Sequence, residues 1–241
     1  MSSTTWTPRA LASEATDFEL ALWRAVEAQH VVATRALVDS LAKQELLERI
    51  LDAHKPPVPE ACAGLDYLLF TPFRYPPLQA GSRFRDVQDP GVWYGAEALQ
   101  TACAEVGYWR WRFVADSAGL KLLEGVAHTL FRAVARGSGI DLRTPPFLRA
   151  AKRWMQADDY GPCQAIARSA REAGLAVLRY ASVRDPDHGG CAAVFDCRAF
   201  VDTRGITTRQ TWFLSVDDAR VSWIHSGGRA GRREAFEFVY R

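Results

Sequence analysis

Residues 74–105 read RYPPLQAGSRFRDVQDPGVWYGAEALQTACAE. Three textures follow one another. First comes a loop rich in proline, glycine and arginine, with Arg74, Arg83 and Arg85 inside twelve positions. Val92-Trp93-Tyr94 is a short apolar strand. Residues 96–108 then take up a helical period, with Leu99, Ala102, Cys103 and Val106 on one stripe and Glu105 off its centre. Loop, strand and helix in this order place cationic, aromatic and carboxylate side chains within one short span.

Working outward, the C-terminal third reads as sheet. Ala176–Ala181, Ala192–Phe195, Thr208–Ser215, Val221–Ile224 and Phe236–Tyr240 are rich in β-branched and aromatic residues. His128–Ala135 fits strand or helix, while 146–155 and 160–173 read as helical. Tyr67–Phe70 reads as a further short strand. Residues 15–53 read as helical, with Phe18, Leu22, Ala25 and Val26 on one face and Leu47, Ile50 and Leu51 on another. His54-Lys55-Pro56-Pro57-Val58-Pro59 stops that helix, because proline lacks a backbone donor and restricts its predecessor. The expected division is a helical appendage over 1–60 and a main domain over 61–241. Elements do not alternate βαβα, so the expected class is α+β, a mixed and largely antiparallel sheet with flanking helices.

Composition narrows the function. The chain has 241 residues, 48% hydrophobic and 24% charged, which suits a globular protein. A net charge of +2 gives no general attraction to nucleic acid. No apolar run is long enough to span a bilayer, and the N-terminus lacks an apolar signal core, so a cytoplasmic protein is expected. The five cysteines are odd in number and scattered, and are expected to be reduced, buried thiols. Cys191 and Cys197 do not have zinc-ligand spacing, and no HExxH pair occurs, so no metal is expected. Neither a phosphate loop nor a dinucleotide-binding glycine turn follows a strand. Gly189-Gly190 and Gly227-Gly228 read as turns.

The candidate residues each have an ordinary reading beside the chemical one. Arginine's planar fork binds phosphate oxygens, yet loop arginines are commonly solvated charges. Tyr94 is either a core tyrosine or an aromatic platform at a pocket mouth. Glu105 off an apolar stripe is ordinarily exposed. In a pocket it can bind a ribose hydroxyl and stabilise an oxocarbenium-like transition state. Ser182 ends the strand Leu178-Arg179-Tyr180-Ala181, a common place for turn chemistry, and has no GxSxG elbow around it.

Taken in order, these segments resemble the RES domain family, the toxin components of bacterial RES–Xre toxin–antitoxin pairs. The resemblance runs over roughly 65–240 and rests on Phe73-Arg74-Tyr75, Gly81-Ser82-Arg83-Phe84, Val92-Trp93-Tyr94, Thr101-Ala102-Cys103-Ala104-Glu105 and Tyr180-Ala181-Ser182. Two departures stand out: Ser82 separates Gly81 from Arg83, and Arg85 stands where the family often has asparagine. The resemblance implies a fold like the ADP-ribosyltransferases of the diphtheria-toxin type and NAD⁺ as substrate. It implies that an arginine holds the dinucleotide phosphates, Arg83 first and Arg74 next, with Arg85 beside them. It further implies that Tyr94 stacks the nicotinamide, that Glu105 binds the nicotinamide ribose and stabilises the cation, and that Ser182 helps hold that ribose. The acceptor after nicotinamide leaves is phosphate, water or a protein nucleophile. A nucleotide- or antitoxin-binding module without turnover is the non-enzymatic alternative. An Xre-type antitoxin that occludes the pocket is the expected partner.

Overall fold

The structure is a computed structural model and describes residues 6–28, 38–75, 81–200, 206–227 and 234–240. Eight strands form one sheet in the order β1-β2-β5-β4-β3-β6-β7-β8, and β1 also pairs with β3. The strands are β1 (Thr16–Glu27), β2 (Trp93–Ala96), β3 (Leu123–Asp141), β4 (Val177–Ala181), β5 (Gly190–Val194), β6 (Ile206–Val216), β7 (Arg220–His225) and β8 (Ala235–Val239). Only β3 and β4 run parallel; the other pairings are antiparallel. The helices are α1 (Pro8–Ser13), α2 (Leu41–Ala53), α3 (Tyr67–Arg74), α4 (Leu99–Asp116), α5 (Ala151–Trp154) and α6 (Gly161–Glu172). The expected α+β class with a largely antiparallel sheet is what the chain adopts.

Two elements differ from the sequence reading. Thr16–Glu27 is a strand, not a helix of an appendage, and it pairs along its whole length with β3, from Thr16 opposite Gly139 to Glu27 opposite His128. Phe18, Leu20 and Leu22 alternate at a strand's period and pack into one apolar cluster with Phe131 and Ala133. The competing helical period, Phe18 to Leu22 to Ala25, is equally present in the sequence, and the long pairing partner decides between them. The second half of that stretch does form a helix, α2, which ends at Ala53 before the proline run; residues 29–37 lie outside the described residues.

Tyr67–Phe70 is likewise the start of α3 rather than a strand. Asp66 caps it, its carboxylate accepting from the Leu68 amide at 2.9 Å. Pro72 lies inside this helix and cannot donate to the Leu68 carbonyl. The indole of Trp93 donates to that oxygen at 3.2 Å instead, tying α3 to β2. A strand residue thus completes the helix's broken ladder.

Cys62 and Cys197 are bridged across 135 positions, joining two short 3₁₀ turns at Glu60–Cys62 and Cys197–Ala199. This corrects the expectation that all five thiols are free; Cys103, Cys163 and Cys191 are free and buried. Among the described residues, no helix is long and apolar enough to cross a membrane.

Successive residues of β2 serve opposite faces of the sheet. Trp93 enters the cluster with α3, Leu20 and Leu22, while Tyr94 packs against the cluster containing Phe84, Tyr180 and the buried face of α6. Helix α4 covers a third cluster with Trp212, Leu214, Val221 and Trp223 of β6 and β7. Strands β1 and β2 meet at a single registered pair, Trp23 with Ala96. At the far end of β3, Gly139 faces Val177 of β4, where an added Cβ would overlap the Val177 backbone carbonyl. Gly139→Ala is therefore expected to destabilise the fold by about 1–3 kcal/mol, read as a lower urea midpoint with an unchanged slope.

Candidate active site

A cavity of about 500 Å³ opens where β1 and β2 come together beneath α4. Its wall includes Trp23, Arg24 and Ala25 from β1, Tyr94, Gly95 and Ala96 from β2, and Glu105 and Trp109 from α4. Gly81, Ser82 and Arg83 from the preceding turn close one side, and Tyr160, Tyr180 and Arg184 another. Arg83, Tyr94 and Glu105, singled out from sequence, are thus brought to one cavity.

Ser182 stands directly behind Glu105. It is fully buried, and its hydroxyl donates to Glu105 Oε1 at 2.5 Å. The Ser182 hydroxyl oxygen itself accepts the backbone amides of Arg184 at 3.1 Å and Asp185 at 2.9 Å. One hydroxyl therefore closes a tight turn after β4 and orients the carboxylate. The turn is pinned to α4 a second time, through the Thr101 hydroxyl, which donates to buried Asp185 at 2.7 Å.

Tyr94 has a bracing role that its sequence position did not suggest. Its phenolic oxygen lies 2.7 Å from the Ser82 hydroxyl and accepts the Phe84 amide at 3.0 Å. This oxygen helps hold the turn carrying Arg83, together with the Gln164 side chain, which donates to the Ser82 and Arg85 carbonyls, and burial pushes the phenol up to about 12, so it stays protonated.

The three candidate arginines separate. Arg83 lines the cavity, donating from one terminal nitrogen to the carbonyls of Trp154 at 3.1 Å and Gln156 at 2.8 Å. Arg74 does not line it; its Nε donates to the Pro56 carbonyl at 2.5 Å and its guanidinium lies over Tyr75. Arg85 does not line it either, donating to the carbonyls of Asp89 and Tyr75. Both hold backbone carbonyls and, unlike Arg83, stand outside the cavity lining.

Two further arginines reach the cavity unannounced. Arg24 donates to the Tyr94 carbonyl at 2.9 Å, and desolvation pushes its guanidinium down to about 10, still cationic at neutral pH. Arg184 is buried and lies 3.8 Å above the Tyr108 ring. Arg184 and Trp109 carried readable signals, two positions beyond Ser182 and one helical turn beyond Glu105. Arg24 carried none once β1 was taken for a helix.

Burial raises the Glu105 carboxyl above the ordinary carboxylate range; Ser182, Arg83 and Arg184 oppose the shift and Asp185 adds to it. Folding thus makes this carboxyl hold its proton to higher pH than the unfolded chain does. Stability from this group falls as pH rises from the ordinary carboxylate value through the raised one. Glu105→Gln keeps an acceptor for Ser182 and has no charge to bury. It is expected to unfold at a higher temperature than the parent at neutral pH, with the gap closing on acidification, as followed by circular dichroism.

A search of curated proteins gives no match. Among solved structures, the chain is similar to one in the crystal structure of the M. tuberculosis MbcT–MbcA toxin–antitoxin complex, at 15% identity and a TM-score of 0.45, over 84% of this chain and 86% of that one. The RES domain model matches residues 57–217, a span that holds the Arg83 turn, β2, α4 and the Ser182 turn together. The chain therefore belongs to the RES domain family.

Proposed function

We propose that the cavity cleaves NAD⁺ at the bond between nicotinamide and ribose. The observation that carries this reading is the Glu105 carboxyl, oriented by Ser182 on a cavity wall shared with Arg83 and Arg184. Nicotinamide departs as a neutral ring, so the reaction needs no acid to protonate it. It needs stabilisation of the positive charge that develops on the ribose, together with a grip on the rest of the dinucleotide. Glu105 supplies the first, accepting from a ribose hydroxyl and placing a fixed negative charge beside the developing oxocarbenium ion. Ser182 keeps the carboxylate from rotating away. Arginine forks supply the second, matching phosphate oxygens. Tyr94, Tyr160 and Trp109 offer ring faces on which a base can stack. Phosphate or water then takes the ribose carbon.

The test is nicotinamide release from NAD⁺ by the purified full chain, with products identified by mass in the presence and absence of inorganic phosphate. Glu105→Ala is expected to slow release about 100-fold or more. Undiminished release by that variant would remove the proposal. Labelled protein in a cell extract, without small products, would make the chain a protein-directed ADP-ribosyltransferase instead; tight NAD⁺ binding without turnover would make it a binding module.

The RES resemblance extends this reading to a cytoplasmic toxin held in check by an Xre-type antitoxin. Two features of the surface favour a partner that covers the cavity. Arg83 and Arg184 make its wall basic, and Trp109 and Phe113 are about half exposed on one face of α4 beside it. An antitoxin segment bearing a carboxylate would satisfy both. The purified complex is expected to release little nicotinamide, and full turnover in the complex would count against occlusion.

A further inference from the structure

Arg83 and Arg184 come from distant parts of the chain and are anchored by the same segment. Arg83 donates to the carbonyls of Trp154 and Gln156. Arg184 donates from one terminal nitrogen to the carbonyl of Ala157 at 2.6 Å and to the Tyr160 hydroxyl at 3.2 Å. The Arg83 guanidinium also lies 4.8 Å from the centre of the Tyr160 ring. Tyr160 therefore touches both cations and lines the cavity with them.

The anchoring groups are neutral. Carbonyl oxygens fix a guanidinium in place and leave its charge to be used by a ligand. Among the described residues Arg184 pairs with Asp158, at 3.8 Å and largely exposed, where water screens it, and the Glu105 carboxyl, which both arginines also influence, faces the same cavity. Asp185, also in the neighbourhood, is taken up by Thr101 and by the amide of Asp187. Beneath Arg184, Tyr108 supports the guanidinium face and fixes its plane. Two cations, each braced before any ligand arrives, suit a group carrying two negative charges rather than one.

We infer that Arg184, anchored with Arg83 by the 154–160 segment, is a specificity-determining residue that grips the diphosphate of a dinucleotide. This rests on the reading of the cavity as a dinucleotide site. Arg184 thereby distinguishes NAD⁺ from nicotinamide riboside, which has the same scissile bond and no phosphate.

The experiment compares Arg184→Gln and Arg184→Lys with the parent on both substrates and in calorimetric binding of ADP-ribose. Arg184→Gln is expected to raise KM for NAD⁺ about 10- to 100-fold, the effect of a lost charged hydrogen bond. Its loss in kcat/KM on NAD⁺ should exceed its loss on nicotinamide riboside by about tenfold or more, with Arg184→Lys between. Equal losses on the two substrates would overturn the assignment, because they would mark a structural role or an effect through Glu105. Tyr160→Phe guards against misfolding of the arginine variants: it keeps the ring, removes the hydroxyl that fixes Arg184, and is expected to raise KM for NAD⁺ selectively. ADP-ribose binding separates the two levels of the proposal. If the parent releases no nicotinamide, the cleavage reading fails; if ADP-ribose binding still weakens in Arg184→Gln, the clamp stands. Binding that is indifferent to Arg184 overturns the clamp whatever the turnover.

Discussion

The hydrogen bond from Ser182 to Glu105 joins the two halves of the site. One partner lies in α4, on the N-terminal side of the long strand β3, and the other ends β4, beyond it. The Ser182 oxygen also accepts two backbone amides, so its position is fixed by the turn before it meets the carboxylate. That turn sets where Arg184 enters the cavity, and α4 sets where Tyr108 lies beneath it. A single contact thus places carboxylate, arginine and aromatic support in one frame. The frame carries an energetic cost, because burial disfavours the charged form of Glu105. The fold retains this unfavourable group while the remainder of α4 packs apolar residues on the sheet, a division expected where a carboxylate is kept for chemistry.

The cavity is a consequence of sheet topology. Strand β3 is 19 residues long and pairs on one side with β1, on the other with β6, and near its end with β4. Strand β1 is held to β3 over all its residues and touches β2 at one. The β2–β5–β4 side and the β1–β3 side therefore curve toward each other and barely close. The space left between them is lined by their side chains and covered by α4. Near the ends of these strands, Arg143 and Arg179 bridge Glu97 and Asp141, joining the ends of β2 and β3 to β4. These half-buried pairs fix geometry more than they add stability, since desolvation offsets much of their attraction.

What the sequence made legible follows from which interactions are local. Strands β4 to β8 carry β-branched and aromatic residues between turns, and they form where expected. Helix α4 and its off-centre glutamate were visible because Leu99, Ala102, Cys103 and Val106 keep a helical period, though the helix runs on to Asp116, past the expected end near 108. Strand β1 was not, because its alanine, leucine and glutamate content satisfies both periods and only β3 chooses between them. Helix α3 was obscured by Pro72, whose lost hydrogen bond is replaced by an indole from β2. The Cys62–Cys197 bridge depends on contact across 135 positions, which no spacing rule reaches. At the cavity, residue order and the family resemblance singled out Arg83, Tyr94, Glu105 and Ser182, which the fold brings together. They did not separate Arg83 from Arg74 and Arg85, since all three hydrogen-bond to backbone carbonyls and only the tertiary fold decides which one also faces the cavity.

The arginines show how one residue type is divided between scaffold and site. Arg74 and Arg85 reach carbonyls in the loops around their own turn and so stabilise the approach to β2. Arg24 binds the carbonyl of Tyr94 itself, bridging the seam between β1 and β2 that pairing leaves open. Tyr94 in turn holds the Arg83 turn through its hydroxyl. A chain of contacts therefore runs from β1 through Arg24 and Tyr94 to the turn that presents Arg83. Loss of the Tyr94 hydroxyl would free the Ser82 hydroxyl and the Phe84 amide together, loosening a turn that Gln164 and Arg171 also hold. Tyr94, the second residue of β2, thus lines the cavity and also braces the scaffold through its oxygen, which a phenylalanine there could not do.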